Sequence, residues 1–513
     1  MLTRLSFPAL LLSLCAALPS PASSAQAAPD GLPPDSVRAD LALLRGALTA
    51  YHPALGLGRR RAEMDTHLDS LDAALAARTE PVPPREAAAL LARALAAVRD
   101  GHTRLNPLNQ SATLQTRLWG GRTALPFAFR IVGEGEAERL VVTHDFSRAG
   151  ALPPGTEVVR VDGLGVPRWL DRLQPLSPGD GYGTDALRRA RLATAEADLT
   201  EDGWPLADVL SPLAFPDLPA RATLLVHRPG ADGTEQVVVE RLSRTDRTRR
   251  LRDAGALAFE DERAWESRML DEQTGYLRLG SFLSYLFSQP ADSLLASRLR
   301  SLRAQGARRL VLDVRGVSGG TLGGERVARY LSRHTAPCLE ERVEIASDRA
   351  DPAFFPYLTS MGQGDGWKQP LPPGAVRPLG DGRFELLAAP GCSGGAAPDA
   401  AWAGPVVVLA DAHNVSATFR LLRAVREHGL GTIVGEPAGG NLAGAAGGMF
   451  VLLRLPRTGL AIDLPLLAYR PAPQAAPGPL LPDVLVRWTA QDVALGRDPA
   501  LNAALRWFEG SRE

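Results

Sequence analysis

Lysine is almost missing from this chain. Of its 57 basic residues only Lys368 is a lysine, and 57 acidic residues balance the arginines to a net charge of zero. That balance excludes the basic footprint expected of a nucleic-acid-binding protein, and no run of like charge suggests an interaction tail. Cysteine is nearly as scarce, with three residues, Cys15, Cys338 and Cys392. None forms a Cys-x-x-Cys, and no His-Glu-x-x-His occurs, so neither a metal nor a cofactor is expected. Past the N-terminus no apolar run approaches the ~20 residues that span a bilayer, and no internal repeat is visible.

What is present is a chain of 513 residues, 45% hydrophobic and 22% charged. At roughly 100–200 residues per domain this suggests about three domains with at least one large core. The 50 glycines and 42 prolines do not offset that apolar fraction enough to imply disorder. Residues 1–27 read as a signal peptide: Arg4 supplies the positive start, Phe7 to Leu18 an apolar run too short to span, and Ala25-Gln26-Ala27 a cleavage site. Leu14 is too bulky to make Cys15 a lipid-attachment site. An exported protein, periplasmic or extracellular, is expected. In that oxidising setting Cys338 and Cys392 either bridge or stand as independent thiols.

Residues 28–119 read as a helical unit. Leu41, Leu44 and Leu48 recur at helical spacing, as do Leu91, Leu95 and Val98, with Pro81, Pro83 and Pro84 between them. Gly101 is placed to end the last helix, which delivers Asp100-Gly101-His102-Thr103. Residues 120–245 turn to short alternating runs, 139–143 (RLVVT), 157–161 (EVVRV) and 223–227 (TLLVH), with an Asp162-Gly163 turn. This is a small β-rich domain, and 155–170 has the cadence of a PDZ strand, turn and helix. The arginine-rich 241–252 reads as a linker or the solvated start of the next domain. Residues 255–510 alternate strands with helices: a strand at 276–279, a helix at 294–302, strands at 309–314 and 405–410, a helix at 416–428 and a strand from 432. That order implies a largely parallel α/β sheet. A Gly/Pro-rich stretch at about 340–400 reads as an insertion near one face.

Three segments place polarising or reactive groups where strands or helices end. Arg315-Gly-Val-Ser-Gly-Gly320 follows a buried strand, and paired glycines can present N–H groups to an oxyanion. An ordinary strand-to-helix turn would look the same. Asn414-Val-Ser-Ala-Thr418 opens a helix, where free N–H groups favour developing negative charge on Ser416. A serine there is also a common N-cap. His102 ends a helix, which suits a histidine without catalysis, but a serine nucleophile needs such a base.

The order of these segments resembles the tail-specific, or C-terminal processing, serine peptidases, in the branch similar to the tricorn core protease and interphotoreceptor retinoid-binding protein. The matching stretches are DGHTRL (100–105), GTEVVRVDG (155–163), LDVRGVSGG (312–320), VVVLADAHNVSA (406–417), TIVGEPAGGN (432–441) and LLPDVLV (480–486). The resemblance implies a crotonase/Clp-like α/β catalytic domain beside the helical unit and a PDZ-like domain. It further implies Ser416 as nucleophile and oxyanion donors from Gly319 or Gly320 and Ala417. The family's base is either a lysine soon after the serine or a histidine from the helical region. The lysine position falls near Gly440 or Asn441, so His102 is the implied base. Three departures stand out: Phe419 replaces the usual glutamate, the loop after LDVR reads Gly-Val-Ser-Gly-Gly, and no acid for His102 is evident. Glu436, Asp463 and Asp483 are candidates, Asp483 better suited to a structural turn, and His413 is a local alternative base.

The leading expectation is an exported serine endopeptidase acting on peptides or proteins through an acyl-enzyme. The rival is a non-catalytic peptide- or lipid-binding protein on the same scaffold. Acyl-thioester chemistry suits an exported protein poorly.

Overall fold

The structure is a computed structural model describing residues 31–55, 60–194, 204–255, 261–332, 338–380, 382–387 and 396–510. The expected signal peptide and Cys392 lie outside these residues. Cys338 is disulfide-bonded.

The α/β part is built on a six-stranded sheet in the order Val484–Leu485, Thr432–Gly435, Val406–Ala410, Arg309–Asp313, Thr274–Leu279, Trp265–Met269. Every pairing is parallel except the last. VVVLA is apolar throughout and RLVLD at its three central positions because both faces are covered. Leu310, Leu312, Val406 and Val408 pack with helices Ala291–Ala304 and Ser416–Glu427, while Val311, Val407 and Leu409 pack with helix Pro499–Gly510. The parallel order puts the ends of strands Arg309–Asp313 and Val406–Ala410 side by side, and both candidate loops emerge there.

The strand Arg309–Asp313 closes on a charged lock. Asp313 is fully buried, and Arg315 bonds it through Nε (3.0 Å) and Nη2 (2.7 Å) while reaching Asp498 at 3.0 and 2.8 Å. Burial alone raises a carboxyl pKa, but Arg315, Arg278 and the Tyr276 hydroxyl outweigh it and bring Asp313 down to about 2. A carboxyl depressed on folding contributes stability that is complete above its unfolded value and lost as pH falls through the folded one. We therefore expect unfolding free energy to drop by about 2 kcal/mol between about pH 4 and 2 through this group alone. Urea titrations across that range check it, since Asp313→Asn should lack this part of the drop and be less stable at neutral pH.

The β-rich part is a six-stranded antiparallel sheet with Phe127–Val132, Arg139–Asp145, Glu157–Val161, Arg221–His227 and Glu235–Glu240 in order, and Leu164–Gly165 paired to Glu157–Val161. Helix Val166–Leu173 lays Trp169, Leu170 and Leu173 into its core. The arginine-rich stretch is not a linker, and only part of it is solvated, Arg249 and Arg252 being exposed. It forms helix Arg244–Asp253, and Arg241 and Arg247 are buried, pairing with Asp162 and Asp208. Long side chains that bury their stems and satisfy their charges explain why a polar sequence packs here.

The helical part comprises Pro34–Tyr51, Arg60–Ala76 and Pro84–Ala97, with the expected leucine stripes buried. Its last helix is ended by Arg99 in the left-handed region (φ 59°), not by Gly101. Gly101 is small for another reason: a Cβ there would sit 3.0 Å from Asp180 Oδ1, which accepts the Gly101 N–H at 2.7 Å. The stretch read as an insertion is woven into the fold. Glu341–Ile345 and Arg383–Leu386 join Ala468–Pro471 and Ala445–Ala446 in one sheet, and Leu358–Ser360 joins Phe450–Arg454 and Ala461–Pro465 in another. That second sheet grips the helical part. Asp40 accepts the N–H groups of Arg457 and Thr458, and Asp463 bridges to Arg104, which brings the DGHT segment against the α/β part.

Candidate active site

Ser416 is the first residue of its helix, with φ 51°. A left-handed serine costs of order 1 kcal/mol or more, strain that collects at functional sites. It does not cap the helix: Val415 holds the N-cap position and no side chain caps it. The turn is fixed from beneath by Asn414, which is fully buried. Its Nδ2 donates to Val314 O (2.6 Å) and Val317 O (3.1 Å), and its Oδ1 accepts the Asp411 N–H (2.8 Å). Asp411 in turn accepts the Gly316 N–H at 2.9 Å. The serine turn and the glycine loop are thus one hydrogen-bonded unit.

Gly319 and Gly320 have φ of 135° and 138°, a conformation that side chains rarely adopt. A Cβ on Gly319 would lie 2.9 Å from both Ala417 N and Ser416 Cβ, so this loop runs directly against the serine. Gly320 is pressed on the Phe282 carbonyl, which a Cβ would meet at 2.5 Å. The loop and the helix start face a cleft of about 820 Å³ lined by His102, Gly320, Ser416, Ala417, Gly447 and Phe450 among others. The histidine and the serine, more than 300 residues apart in sequence, open on the same space.

His102 is 11% exposed and lies beside the Phe450 ring, centroids 5.6 Å apart. Behind it stands Asp100, which the sequence reading passed over as its acid. Asp100 Oδ1 is 3.8 Å from His102 Nδ1 and accepts the His102 N–H at 3.3 Å. Burial opposes ionisation of Asp100, yet hydrogen bonds and positive potential from His102 and His52 hold its carboxyl well below the usual range. Burial and the Asp100 charge push Asp180, the next carboxyl in the cluster, upward. Ligand atoms of Asp100, His102 and Asp180 lie within 4.8 Å of one another, and the two Asp100 oxygens accept from His52, Thr103 and the His102 backbone. The pointer in the sequence was Asp100-Gly101-His102 itself, an acid two residues before the base with a glycine between them that admits Asp180.

The other candidate acids stand elsewhere. Asp463 lines the cleft but accepts the side-chain amides of Asn106 (3.1 Å) and Asn109 (2.6 Å). Asp483 accepts the Ile433 N–H and pairs with Arg426, the structural role its turn suggested. Glu436 is on the strand edge, its N–H given to Ala410 O, and is not a cleft residue. His413 is paired with Asp411 (Nδ1–Oδ2 3.6 Å) and does not line the cleft. Lys368 pairs with Asp365 at 2.9 Å, away from the cleft. Phe419 fills the space at Gly440, where a Cβ would come within 2.4 Å of the ring. Asn441 donates to the carbonyls of Asp180 and Tyr182 and so ties the α/β part to the segment beside His102.

Residues 273–471 match the model of peptidase family S41. This chain carries an S41 peptidase domain. The S41 match contains Ser416, Ala417 and the glycine loop; His102 lies ahead of it. An S41 domain is a serine-type peptidase domain, and peptides or proteins are its substrate class. Among solved structures the chain is similar to mature CPAF, with a TM-score of 0.58 and 14% identity over 90% of this chain and 94% of that one. A point mutant of CPAF gives a TM-score of 0.61 at the same identity and coverage. The photosystem II D1 C-terminal processing protease gives 0.39 at 16% identity, over 88% of this chain and 93% of that one. The CPAF likeness establishes a shared mixed α/β fold extending well beyond the S41 match. No curated protein sequence matches. Among the described residues no helix is long and apolar enough to cross a membrane.

Proposed function

We propose that the chain is an exported serine endopeptidase in which Ser416 is the nucleophile and His102 the base. The observation that carries this reading is the shared cleft. A strained serine at a helix start, a glycine loop against it and a histidine backed by a buried carboxylate all open on one space. His102 takes the Ser416 hydroxyl proton as Oγ attacks the scissile carbonyl, and the resulting oxyanion is held by amides of Ala417 and of Gly319 or Gly320. The imidazolium then protonates the leaving amine, and the Ser416 ester remains. Water, deprotonated by His102, attacks that ester, and the imidazolium returns the proton to Ser416 Oγ as the acid is released. Asp100 stabilises the imidazolium through Oδ1, 3.8 Å from His102 Nδ1.

In this reading the mature chain follows a signal peptide of residues 1–27 and acts in the periplasm or outside the cell. Its parts are a helical domain (28–119), a PDZ-like domain (120–245) and a crotonase/Clp-like catalytic domain (255–510). Helix Arg244–Asp253 packs with the β-rich part and favours a boundary just after it. The rival is a non-catalytic binding protein, which the apolar Phe419–Gly440 contact beside Ser416 favours. A fluorophosphonate probe separates the two. Peptide mapping should find a single adduct, on Ser416, and none in Ser416→Ala; an unlabelled native protein would favour the binding reading.

A further inference from the structure

A second histidine, His52, stands behind the first, and the proposed mechanism does not use it. It follows helix Pro34–Tyr51 and its side chain is fully buried. Its Nδ1 accepts the Ala54 N–H at 3.2 Å, so Nδ1 carries no proton and the ring proton is on Nε2. That nitrogen lies 3.0 Å from Asp100 Oδ2 and 2.9 Å from Thr103 Oγ1. The Thr103 hydroxyl donates to the same Oδ2 at 2.5 Å. Two side-chain donors therefore saturate Oδ2 and leave Oδ1 turned to His102.

We infer that His52 is a positioning residue for the reaction: with its tautomer fixed by Ala54, it holds Asp100 so that one oxygen alone is presented to the His102 imidazole. The inference rests on the Ser416–His102 reading. A carboxylate free to rotate about its Cβ–Cγ bond would offer either oxygen, and the imidazole it supports would lose its fixed orientation. His52 touches no substrate and acts only through Asp100. The other charged groups that act on Asp100 are Asp180, Arg60 and Arg470, all buried, and none of them donates a side-chain hydrogen bond to Oδ2 among the described contacts.

The test needs no known substrate. Fluorophosphonate labelling of Ser416 is followed as a rate against pH in the native protein, His52→Leu and His52→Gln. Glutamine can place an amide donor near the position of Nε2; leucine cannot. We expect the plateau rate of His52→Leu to fall about tenfold, a fraction of the ~10²–10⁴ a positioned base contributes. Its pH midpoint should rise by roughly several tenths of a unit, since a carboxylate deprived of a donor favours the imidazolium more. His52→Gln should recover most of both. A plateau and midpoint at native values in His52→Leu, equal slowing in both variants, or slowing with an unmoved midpoint each overturns the assignment. If His52→Leu does not fold, Thr103→Val withdraws the other donor from Oδ2 and is judged by the same rate and midpoint against the native protein. A native protein that is not labelled at all overturns the parent reading, a result distinct from any of these.

Discussion

Ser416→Ala is expected to lower peptide turnover by roughly 10³-fold or more, His102→Ala by a similar amount, and the double variant by little beyond either alone. The argument is that the two side chains act in one event. Without the imidazole the hydroxyl keeps its proton and is a poor nucleophile; without the hydroxyl the imidazole has nothing to activate. What survives in each variant is binding and the oxyanion donors, which are common to all three proteins. Folding should not confound the result. Alanine at 416 keeps the same backbone strain as serine, and no hydrogen bond of the Ser416 side chain holds the helix start. His102 is packed beside Phe450 and Asp100, so its removal should show a modest loss in thermal melts that Ser416→Ala does not share. Multiplicative losses in the double variant would mean the two residues act separately and would sink the dyad.

The parts of this architecture that sequence reveals are those fixed by local periodicity. Val406–Ala410 is apolar at all five positions and Arg309–Asp313 at its three central ones, short runs between turn residues that suit strands covered on both faces. Helix Ser416–Glu427 and strand Thr432–Gly435 fall within a residue of their expected bounds. The acid behind His102 was not legible for the opposite reason. Asp100 is fixed by Thr103 and by His52, which follows helix Pro34–Tyr51, and no spacing along the chain announces the His52 contact. The residues about 340–400 misled in the same way. Gly and Pro content suggested an excursion, whereas Glu341–Ile345 pairs with Ala468–Pro471, more than a hundred residues later, as a strand within the cleft wall. Arg241 and Arg247 looked solvated because composition records charge, while Asp162 and Asp208, which pair with them, come from distant segments.

Gly319→Ala is expected to cost ~10²–10³ in kcat with the protein still folded, the loss seen when one oxyanion donor is removed. Two effects coincide at this position. The φ of 135° is one that side chains rarely adopt, so the loop would have to turn its amide to relax. The added Cβ would also lie 2.9 Å from both Ala417 N and Ser416 Cβ, contacts with backbone and nucleophile that cannot be relieved by rotating a side chain. Either response moves an N–H away from the place where the carbonyl oxygen gains charge. Strain alone is controlled by Gly230→Ala, in the turn between Arg221–His227 and Glu235–Glu240. There φ is 73° and nothing lies within 4 Å of the added carbon. That variant should lose about 1 kcal/mol in stability and keep its turnover. Steady-state kinetics decide the matter through the split between kcat and KM. A donor lost from the oxyanion site lowers kcat, because the charge it serves exists only beyond the ground state. A Gly319→Ala protein with native kcat would show that the Gly319 amide takes no part in the reaction, leaving Ala417 and Gly320 as the donors to be tested.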